Sequence, residues 1–122
     1  MRLLIADDSE LIVDRLIASL EAIKGIEIVD TAGTVEKASE AVRTLRPDVM
    51  ILDMRMPGGS GLDVLESMKK DQVSCVVIML TNFAYPQYRR KCLASGANFF
   101  LDKSTDFDKV GDVLRSLLPT LP

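Results

Sequence analysis

Short apolar runs alternate with stretches of helical spacing along the whole chain. Runs bounded by turn residues predict strands, and a continuously apolar run is typical of a strand buried on both faces of a parallel sheet. Five runs are predicted to be strands: residues 3–6, 26–30, 49–52, 75–80 and 98–101. The run at 26–30 mixes acidic and apolar residues, which is expected of an edge strand.

Apolar residues at helical spacing follow each strand and predict five helices. Side chains that can cap a helix N-terminus precede three of them: Ser9, Thr34, and either Thr105 or Asp106. Pro86 suits the first turn of the fourth helix. The predicted helix ends are Gly25, Pro47, Lys69–Lys70, Gly96 and, for the fifth helix, Pro119 and Pro122.

The alternation of strands with helices predicts an α/β fold. A parallel sheet with helices on both faces and right-handed crossovers is the arrangement that such a pattern favours. For a chain of this length we expect a single doubly wound (βα)5 domain of the flavodoxin-like kind, with the five strands in the order 2-1-3-4-5. The domain is predicted to span residues 1–122, with no effector domain in this chain.

Composition narrows the class of protein. The net charge of -3 disfavours direct binding to nucleic acid, which needs a basic surface. No apolar run reaches the length of a membrane span, and no signal peptide is visible. Cys75 and Cys92 show no metal-ligand spacing, and the chain has no histidine, so free thiols in a reducing compartment are expected. We therefore expect a cytoplasmic protein that does not contact membranes.

Four predicted strands end in polar residues: Asp7-Asp8, Asp53, Thr81 and Lys103. The carboxyl ends of parallel strands lie at one edge of the sheet, where ligands bind. Three carboxylates close together need a compensating charge, and Mg²⁺ prefers such oxygen ligands. An ammonium and a hydroxyl can bind phosphoryl oxygens, and a carboxylate can attack a phosphoryl group. The pattern therefore predicts a Mg²⁺-dependent phosphoacceptor site centred on Asp53.

The same motifs resemble those of the CheY-like receiver domains of two-component response regulators, over the whole chain. The matching segments are residues 4–9, 52–58, 61–62, 81 and 96–103. The resemblance implies that Asp53 takes a phosphoryl group from the phosphohistidine of a histidine kinase or a phosphotransfer protein. It implies Mg²⁺ ligation by Asp8, Asp53 and the backbone carbonyl of Arg55, with Asp7 acting through water.

The resemblance also implies a switch. Thr81 and Lys103 would bind phosphoryl oxygens, and Phe100 occupies the position of the family's aromatic switch residue. The fourth helix, fifth strand and fifth helix would form the surface that signals downstream, to a protein target or a second copy in a homodimer. A receiver of this kind assists its own phosphorylation and dephosphorylation and is otherwise not an enzyme.

Three residues depart from the family's usual pattern. Ser104 stands where a proline usually follows the lysine, which leaves open whether that peptide is cis. Asn82 replaces a small residue and could crowd the entry for phosphodonors, and Phe100 lacks the tyrosine hydroxyl. Arg55 and Phe83 flank the place of a hydrolytic water without offering it an acceptor, so slow dephosphorylation is expected. An ion pair between Arg55 and Glu10 is also predicted.

Three other functions share parts of this pattern. A haloacid-dehalogenase-type phosphatase uses an aspartyl nucleophile, a threonine and a lysine in this order, but needs an acid where Arg55 stands. A flavin-binding protein of the same fold needs an anion-binding loop after the first strand, where Asp7 and Asp8 would repel phosphate. A purely structural or interaction domain would show no Mg²⁺-dependent reaction with acetyl phosphate.

Overall fold

The structure is a computed structural model that describes residues 1–120. Within that range lie seven strands: β1 (Arg2–Ala6), β2 (Glu27–Ala32), β3 (Val49–Leu52), β4 (Arg55–Met56), β5 (Gly59–Ser60), β6 (Val76–Thr81) and β7 (Phe99–Asp102). The described residues also form five α-helices: α1 (Glu10–Leu20), α2 (Val35–Leu45), α3 (Gly61–Lys70), α4 (Pro86–Ala94) and α5 (Lys109–Leu117). No helix of residues 1–120 is long and apolar enough to cross a membrane.

The main sheet has five parallel strands in the order β2-β1-β3-β6-β7. This confirms the predicted doubly wound order 2-1-3-4-5, because β6 and β7 are the fourth and fifth predicted strands. The two extra strands, β4 and β5, form a separate antiparallel hairpin directly after β3, which the sequence pattern did not predict. The hairpin is tied to α2, since the N–H of Val35 donates to the carbonyl oxygen of Pro57 at 3.0 Å.

Two apolar cores cover the two faces of the sheet. Successive residues of a strand point to opposite faces, so Leu4 and Met50 pack against α2, α3 and α4, whereas Leu3 and Ile51 pack against α1 and α5. All four residues are at most 2% exposed. Full burial of a side chain of this size contributes about 1.5–3 kcal/mol relative to exposure. Continuous apolar runs are therefore required in the central strands.

The edge strand β2 lies further along the chain than the predicted residues 26–30. Its pairing with β1 skips one residue, because Leu3 lies opposite Ile28 but Leu4 lies opposite Asp30. This bulge extends the pairing to Ala32, whose carbonyl oxygen accepts a hydrogen bond from the N–H of Asp7 at 2.9 Å. The irregular edge thus helps to fix the first acidic residue of the site.

Two of the predicted helix caps form as expected. The hydroxyl of Ser9 accepts a hydrogen bond from the N–H of Ile12, and that of Thr34 accepts one from the N–H of Lys37. The predicted end of α1 at Gly25 is wrong, since the helix ends at Leu20. Gly25 has a φ of 95° and instead makes the turn before β2, a conformation that favours glycine.

The predicted start of the fifth helix is wrong too. Helix α5 begins at Lys109 after Asp108, so neither Thr105 nor Asp106 is its N-cap. The carboxylate of Asp106 accepts a hydrogen bond from the backbone of Asp102 instead, and is therefore used within the preceding loop. Pro119 lies in a 3-10 turn after α5, and Pro122 lies outside the described residues.

Candidate functional site

Among residues 1–120, the buried polar and charged residues gather at one edge of the sheet. They are Asp7, Asp53, Thr81 and Lys103. Each follows or ends a different strand, namely β1, β3, β6 and β7. The structure thus brings together the predicted site residues, with Asp8 exposed beside them. Burying polar groups costs free energy unless they are paired with one another, so these side chains are expected to contact each other at this edge.

The end of β3 holds Asp53 through its backbone and its neighbours. The N–H of Asp53 donates to Ala6 at 2.9 Å, and the carboxylate oxygen Oδ1 accepts from the N–H of Met54 at 2.7 Å. Helix α3 begins directly against this turn at Gly61. A Cβ atom on Gly61 would lie 2.5 Å from the carbonyl oxygen of Asp53, so only glycine fits there.

Lys103 bridges two carboxylates at the centre of the site. Its Nζ lies 2.7 Å from Oδ2 of Asp7 and 3.1 Å from Oδ2 of Asp53. Its backbone N–H donates to the carbonyl oxygen of Thr81 at 3.0 Å, which ties the loop after β7 to the end of β6. The ammonium of Lys103 therefore lies where it can offset negative charge beside Asp53.

The electrostatics of the site favour a proton on Asp53 more than an isolated carboxyl would. Burial and the nearby negative charge of Asp7 raise the pKa of Asp53, against the opposing effects of Lys103 and the Met54 N–H. Burial disfavours the charged ammonium of Lys103, but the hydrogen bond to Asp7 and the charges of Asp53 and Asp7 raise its pKa overall.

Three carboxylates can also approach a single cation. Oxygen atoms of Asp7, Asp8 and Asp53 lie within 4.8 Å of one another. An all-oxygen donor set with one solvent-exposed member suits Mg²⁺, which keeps several of its water ligands. An open cleft of about 510 Å³ between α1, β2 and α2 reaches Asp7 and Asp8. Arg55, the predicted carbonyl ligand, lies at the start of β4 directly after Met54.

The side chain of Arg55 does not contact Glu10 as predicted. No ion pair joins these two residues in the part of the chain that the structure describes. The guanidinium of Arg55 instead lies over the ring of Phe83, 4.6 Å from its centre. The aromatic ring attracts the guanidinium through its electron-rich face, so stacking on Phe83 can replace an ion pair with Glu10.

The two predicted switch residues lie on neighbouring strands. Thr81 is fully buried, and its Oγ1 accepts a hydrogen bond from the N–H of Phe83 at 3.0 Å. Phe100 is 7% exposed and packs in the core that faces α4, while its carbonyl oxygen accepts from Arg89 Nη1 at 3.3 Å. Because the ring is already buried, any switch at Phe100 is a repacking of the core.

The sequence analysis missed a set of hydrogen bonds around Lys103. They join Asp102, Ser104 and Asp106, in a loop whose Lys103–Ser104 peptide is trans. The available signal was the Asp-x-Ser spacing, since an Asp side chain often binds the backbone two residues further on. Met54 and Cys92 were also missed; their sulfur atoms lie 3.7 Å apart beneath α4.

Comparison with known sequences gives consistent matches. A family model described as the response regulator receiver domain matches residues 3–115. The uncharacterized transcriptional regulatory protein YvfU of Bacillus subtilis is 35% identical over 115 residues, which are 94% of this chain and 58% of that protein. The response regulator UvrY of Escherichia coli is 32% identical over 117 residues, covering 96% of this chain and 54% of that protein. The chain thus spans somewhat more than half the length of these curated relatives.

Solved structures share the fold. The signal receiver domain of the putative response regulator NarL from Mycobacterium tuberculosis superposes with a TM-score of 0.88 at 24% identity, covering 97% of this chain and 95% of that chain. A chain of the CheX–CheY–BeF3–Mg²⁺ complex from Borrelia burgdorferi superposes with a TM-score of 0.84 at 30% identity, covering 100% of this chain and 90% of that chain. The chain therefore belongs to the family of response regulator receiver domains.

Proposed function

We propose that this receiver domain accepts a phosphoryl group on Asp53 from the phosphohistidine of a histidine kinase or a histidine phosphotransfer protein. The observation that carries the proposal is the placement of Lys103, whose ammonium lies 3.1 Å from Asp53 Oδ2 at the buried edge of the sheet. A carboxylate with a cation beside it is arranged to receive a group that brings further negative charge.

The transfer uses the carboxylate of Asp53 as nucleophile. A carboxylate oxygen forms a bond to phosphorus while the bond from phosphorus to the histidine nitrogen breaks, and the electron pair of that bond stays on the nitrogen. The carboxylate lies at the buried edge of the sheet, held by the N–H of Met54 on Oδ1, which fixes the orientation of the nucleophile. A binding step that aligns the donor with the attacking oxygen supplies much of the rate by orientation.

Lys103 and Thr81 bind the transferred group. The ammonium of Lys103 gives up part of its contact with Asp53 and pairs with a phosphoryl oxygen, while its contact with Asp7 at 2.7 Å keeps it in place. The hydroxyl of Thr81 already accepts from the N–H of Phe83, so its own proton is free to be donated. The Lys103 ammonium and the Thr81 hydroxyl would both stabilise negative charge on the phosphoryl oxygens during transfer.

Asp8 and Asp53, the carbonyl oxygen of Arg55, and Asp7 through water would hold Mg²⁺. The clustering of three carboxylates supports this donor set. When bound, the ion offsets charge on the phosphoryl oxygens and on the carboxylates that hold it. A relative at 30% identity is described in a complex with BeF3 and Mg²⁺, which supports the same requirement here.

The surface formed by α4, β7 and α5, called the output surface below, would transmit the signal. Its mixed charges suit a specific protein target or a homodimer that forms on phosphorylation. The charged residues of α4, of α5 and of the position before α5 are Arg89, Arg90, Lys91, Asp108, Lys109, Asp112 and Arg115. We propose no direct contact of this chain with nucleic acid. We place it in the cytoplasm, in keeping with its two free cysteines. Its only catalysis would be of its own phosphorylation and dephosphorylation.

The test is phosphorylation with acetyl phosphate and Mg²⁺, followed by intact mass. One phosphoryl group should be added to the unaltered chain and none to Asp53→Ala. The matched control is Asp112→Ala, which removes an exposed carboxylate of α5 that pairs with Arg115 and should be labelled normally. Labelling that persists in Asp53→Ala, or after chelation of Mg²⁺ with EDTA, contradicts the proposal.

A further inference from the structure

The loop that carries Lys103 is closed by the side chain of Asp102. Oδ1 of Asp102 accepts two hydrogen bonds from Ser104, one from its N–H at 2.8 Å and one from its hydroxyl at 2.6 Å. Both bonds end on the same carboxylate oxygen and join the residue before Lys103 to the residue after it. They restrict the backbone of Lys103 itself, because the residues before and after it are joined.

Asp106 closes the same loop from its other end. Its Oδ2 accepts a hydrogen bond from the N–H of Asp102 at 3.0 Å, and its own N–H donates to the carbonyl oxygen of Asp102 at 2.8 Å. The second carboxylate oxygen pairs with Lys109 Nζ at 3.1 Å, at the first residue of α5. The loop is therefore fixed to the end of β7 and to the start of α5.

The network meets a need that follows from the residue at position 104. A proline there would restrict the chain covalently and would leave no N–H to satisfy. Ser104 has an N–H that needs an acceptor and a backbone that is less restricted than that of proline. The carboxylate of Asp102 accepts a hydrogen bond from this N–H, which also restricts the backbone. The hydrogen bonds from Ser104 lower the pKa of Asp102, and the bond from the Asp102 backbone lowers that of Asp106, so both carboxylates are charged at neutral pH.

We propose that Asp102 and Asp106 are positioning residues, which hold the backbone of Lys103 so that its Nζ reaches Asp7 and Asp53 together. This inference rests on the proposed function. Lysine has a long side chain with considerable rotamer freedom, and fixing its backbone reduces the entropy lost when the ammonium is confined. The backbone bond from Lys103 to Thr81 alone leaves the residues that follow Lys103 unrestrained.

The experiment measures the affinity of the full chain for beryllofluoride, a mimic of the phosphoryl group, at saturating Mg²⁺. Asp102→Ala should raise the dissociation constant about tenfold, because Lys103 loses its fixed position. Asp102→Asn keeps an acceptor oxygen for Ser104 and should stay within about threefold of the unaltered chain. Asp71→Ala removes an exposed aspartate at the C-terminal end of α3, outside the output surface, and should change nothing.

Two further variants separate positioning from loss of folding. Ser104→Ala removes only the hydroxyl bond and should weaken beryllofluoride binding about threefold without lowering the melting temperature. Asp106→Ala should weaken binding as Asp102→Ala does, because the loop loses the hydrogen bond from the N–H of Asp102. A purely structural role would lower the melting temperature of the variants and leave the affinity, measured well below melting, unchanged.

The outcomes distinguish this inference from the proposed function. If the unaltered chain binds beryllofluoride and Asp102→Ala binds it equally well, the positioning role is wrong and the phosphoacceptor function stands. The role is also wrong if Asp102→Asn is as weak as Asp102→Ala. If the unaltered chain neither binds beryllofluoride nor is labelled at Asp53, the proposed function itself fails.

Discussion

The guanidinium of Arg55 lies 4.6 Å from the centre of the Phe83 ring. Arg55 follows Asp53 by two residues, and the N–H of Phe83 is bonded to the Thr81 hydroxyl, so the stacked pair lies beside the proposed phosphoacceptor. Hydrolysis of an aspartyl phosphate needs a water held in line with the phosphorus atom. Arginine offers such a water donors only, and phenylalanine offers it neither donor nor acceptor. We therefore expect that neither residue orients a hydrolytic water and that phosphorylated Asp53 decays slowly.

Replacing Phe83 with glutamine should speed the decay of phosphorylated Asp53. A polar side chain at this position can orient the water, and we expect roughly tenfold faster decay, well within what positioned groups contribute. The measurement is loss of phosphoprotein after removal of acetyl phosphate. Leu93→Gln is the control, since it changes a partly exposed residue of α4 in the same way. Equal or slower decay in Phe83→Gln argues against the explanation.

Asp53→Asn should stabilise the protein at neutral pH in the presence of EDTA. The folded state raises the pKa of Asp53 above 3.8, through burial first and then the charge of Asp7. The folded state therefore binds more protons than the unfolded state as pH rises above 3.8, and its stability falls through that range. Asparagine carries no charge and Lys103 keeps Asp7 as its partner, so Asp53→Asn should melt a few degrees higher at neutral pH.

The pH dependence provides the control for this prediction. The advantage of Asp53→Asn should appear as pH rises above 3.8, the value of an unperturbed aspartate, and should disappear below it. Asp112→Asn alters an exposed residue and should show no such dependence. The measurement is the melting temperature of each variant and of the unaltered protein from acidic to neutral pH. A variant that is less stable than the parent at neutral pH would mean that the attraction of Lys103 outweighs burial.

Gly61→Ala should both destabilise the domain and slow phosphorylation of Asp53. The added Cβ would lie 2.5 Å from the Asp53 carbonyl oxygen and 2.9 Å from Cε of Met79, and the backbone atom cannot yield easily. We expect a loss of about 2 kcal/mol, as for other overpacked sites. Gly111→Ala is the matched control in α5, where the nearest atom belongs to the flexible end of Arg115. Denaturant unfolding should show Gly111→Ala to be neutral or stabilised.

Beryllofluoride with Mg²⁺ should perturb amide signals of residues 83–91 and 99–103. If the Thr81 hydroxyl donates its proton to the bound group, its bond from the Phe83 N–H changes geometry, and we expect the Phe100 ring to repack in the neighbouring core. Thr81→Ala should weaken this response while Asp53 remains phosphorylatable. Thr44→Ala, in an exposed position of α2, should leave it intact. Perturbations confined to residues that touch the metal ion would show that the output surface does not respond.

The sequence predicted the sheet and the site edge because both depend on simple periodic features. Continuous apolar runs identified the central strands, and each run ended at the polar residue that the structure brings to the site. The family match over residues 3–115 also removes the phosphatase and flavin alternatives. Local conformations that depend on competing hydrogen bonds were harder to predict. Asp106 has the chemistry of a helix cap, but its use by the loop follows from the backbone position of Asp102.

Side-chain partners across the site were the least predictable feature. The sequence predicted an ion pair of Arg55 with Glu10, whereas Arg55 stacks on Phe83, because the partner depends on distances that spacing in the chain does not give. The β4–β5 hairpin was also not predicted, because its pairing too depends on backbone geometry. Its glycines, Gly58 and Gly59, predict only a loop, whereas the pairing of Arg55 with Ser60 needs the backbone to return on itself.

Helix α4 rests on the sheet through few buried side chains. Cys92 is its buried residue, against Gly61, Val64, Leu65 and Met68 in α3. Elements with so little buried apolar surface open at a free energy well below that of global unfolding. Amide hydrogens of α4 should therefore exchange by local opening, sooner than those of α3. If a group bound at Asp53 shifts this opening equilibrium, amide exchange of α4 should change while the central strands stay protected.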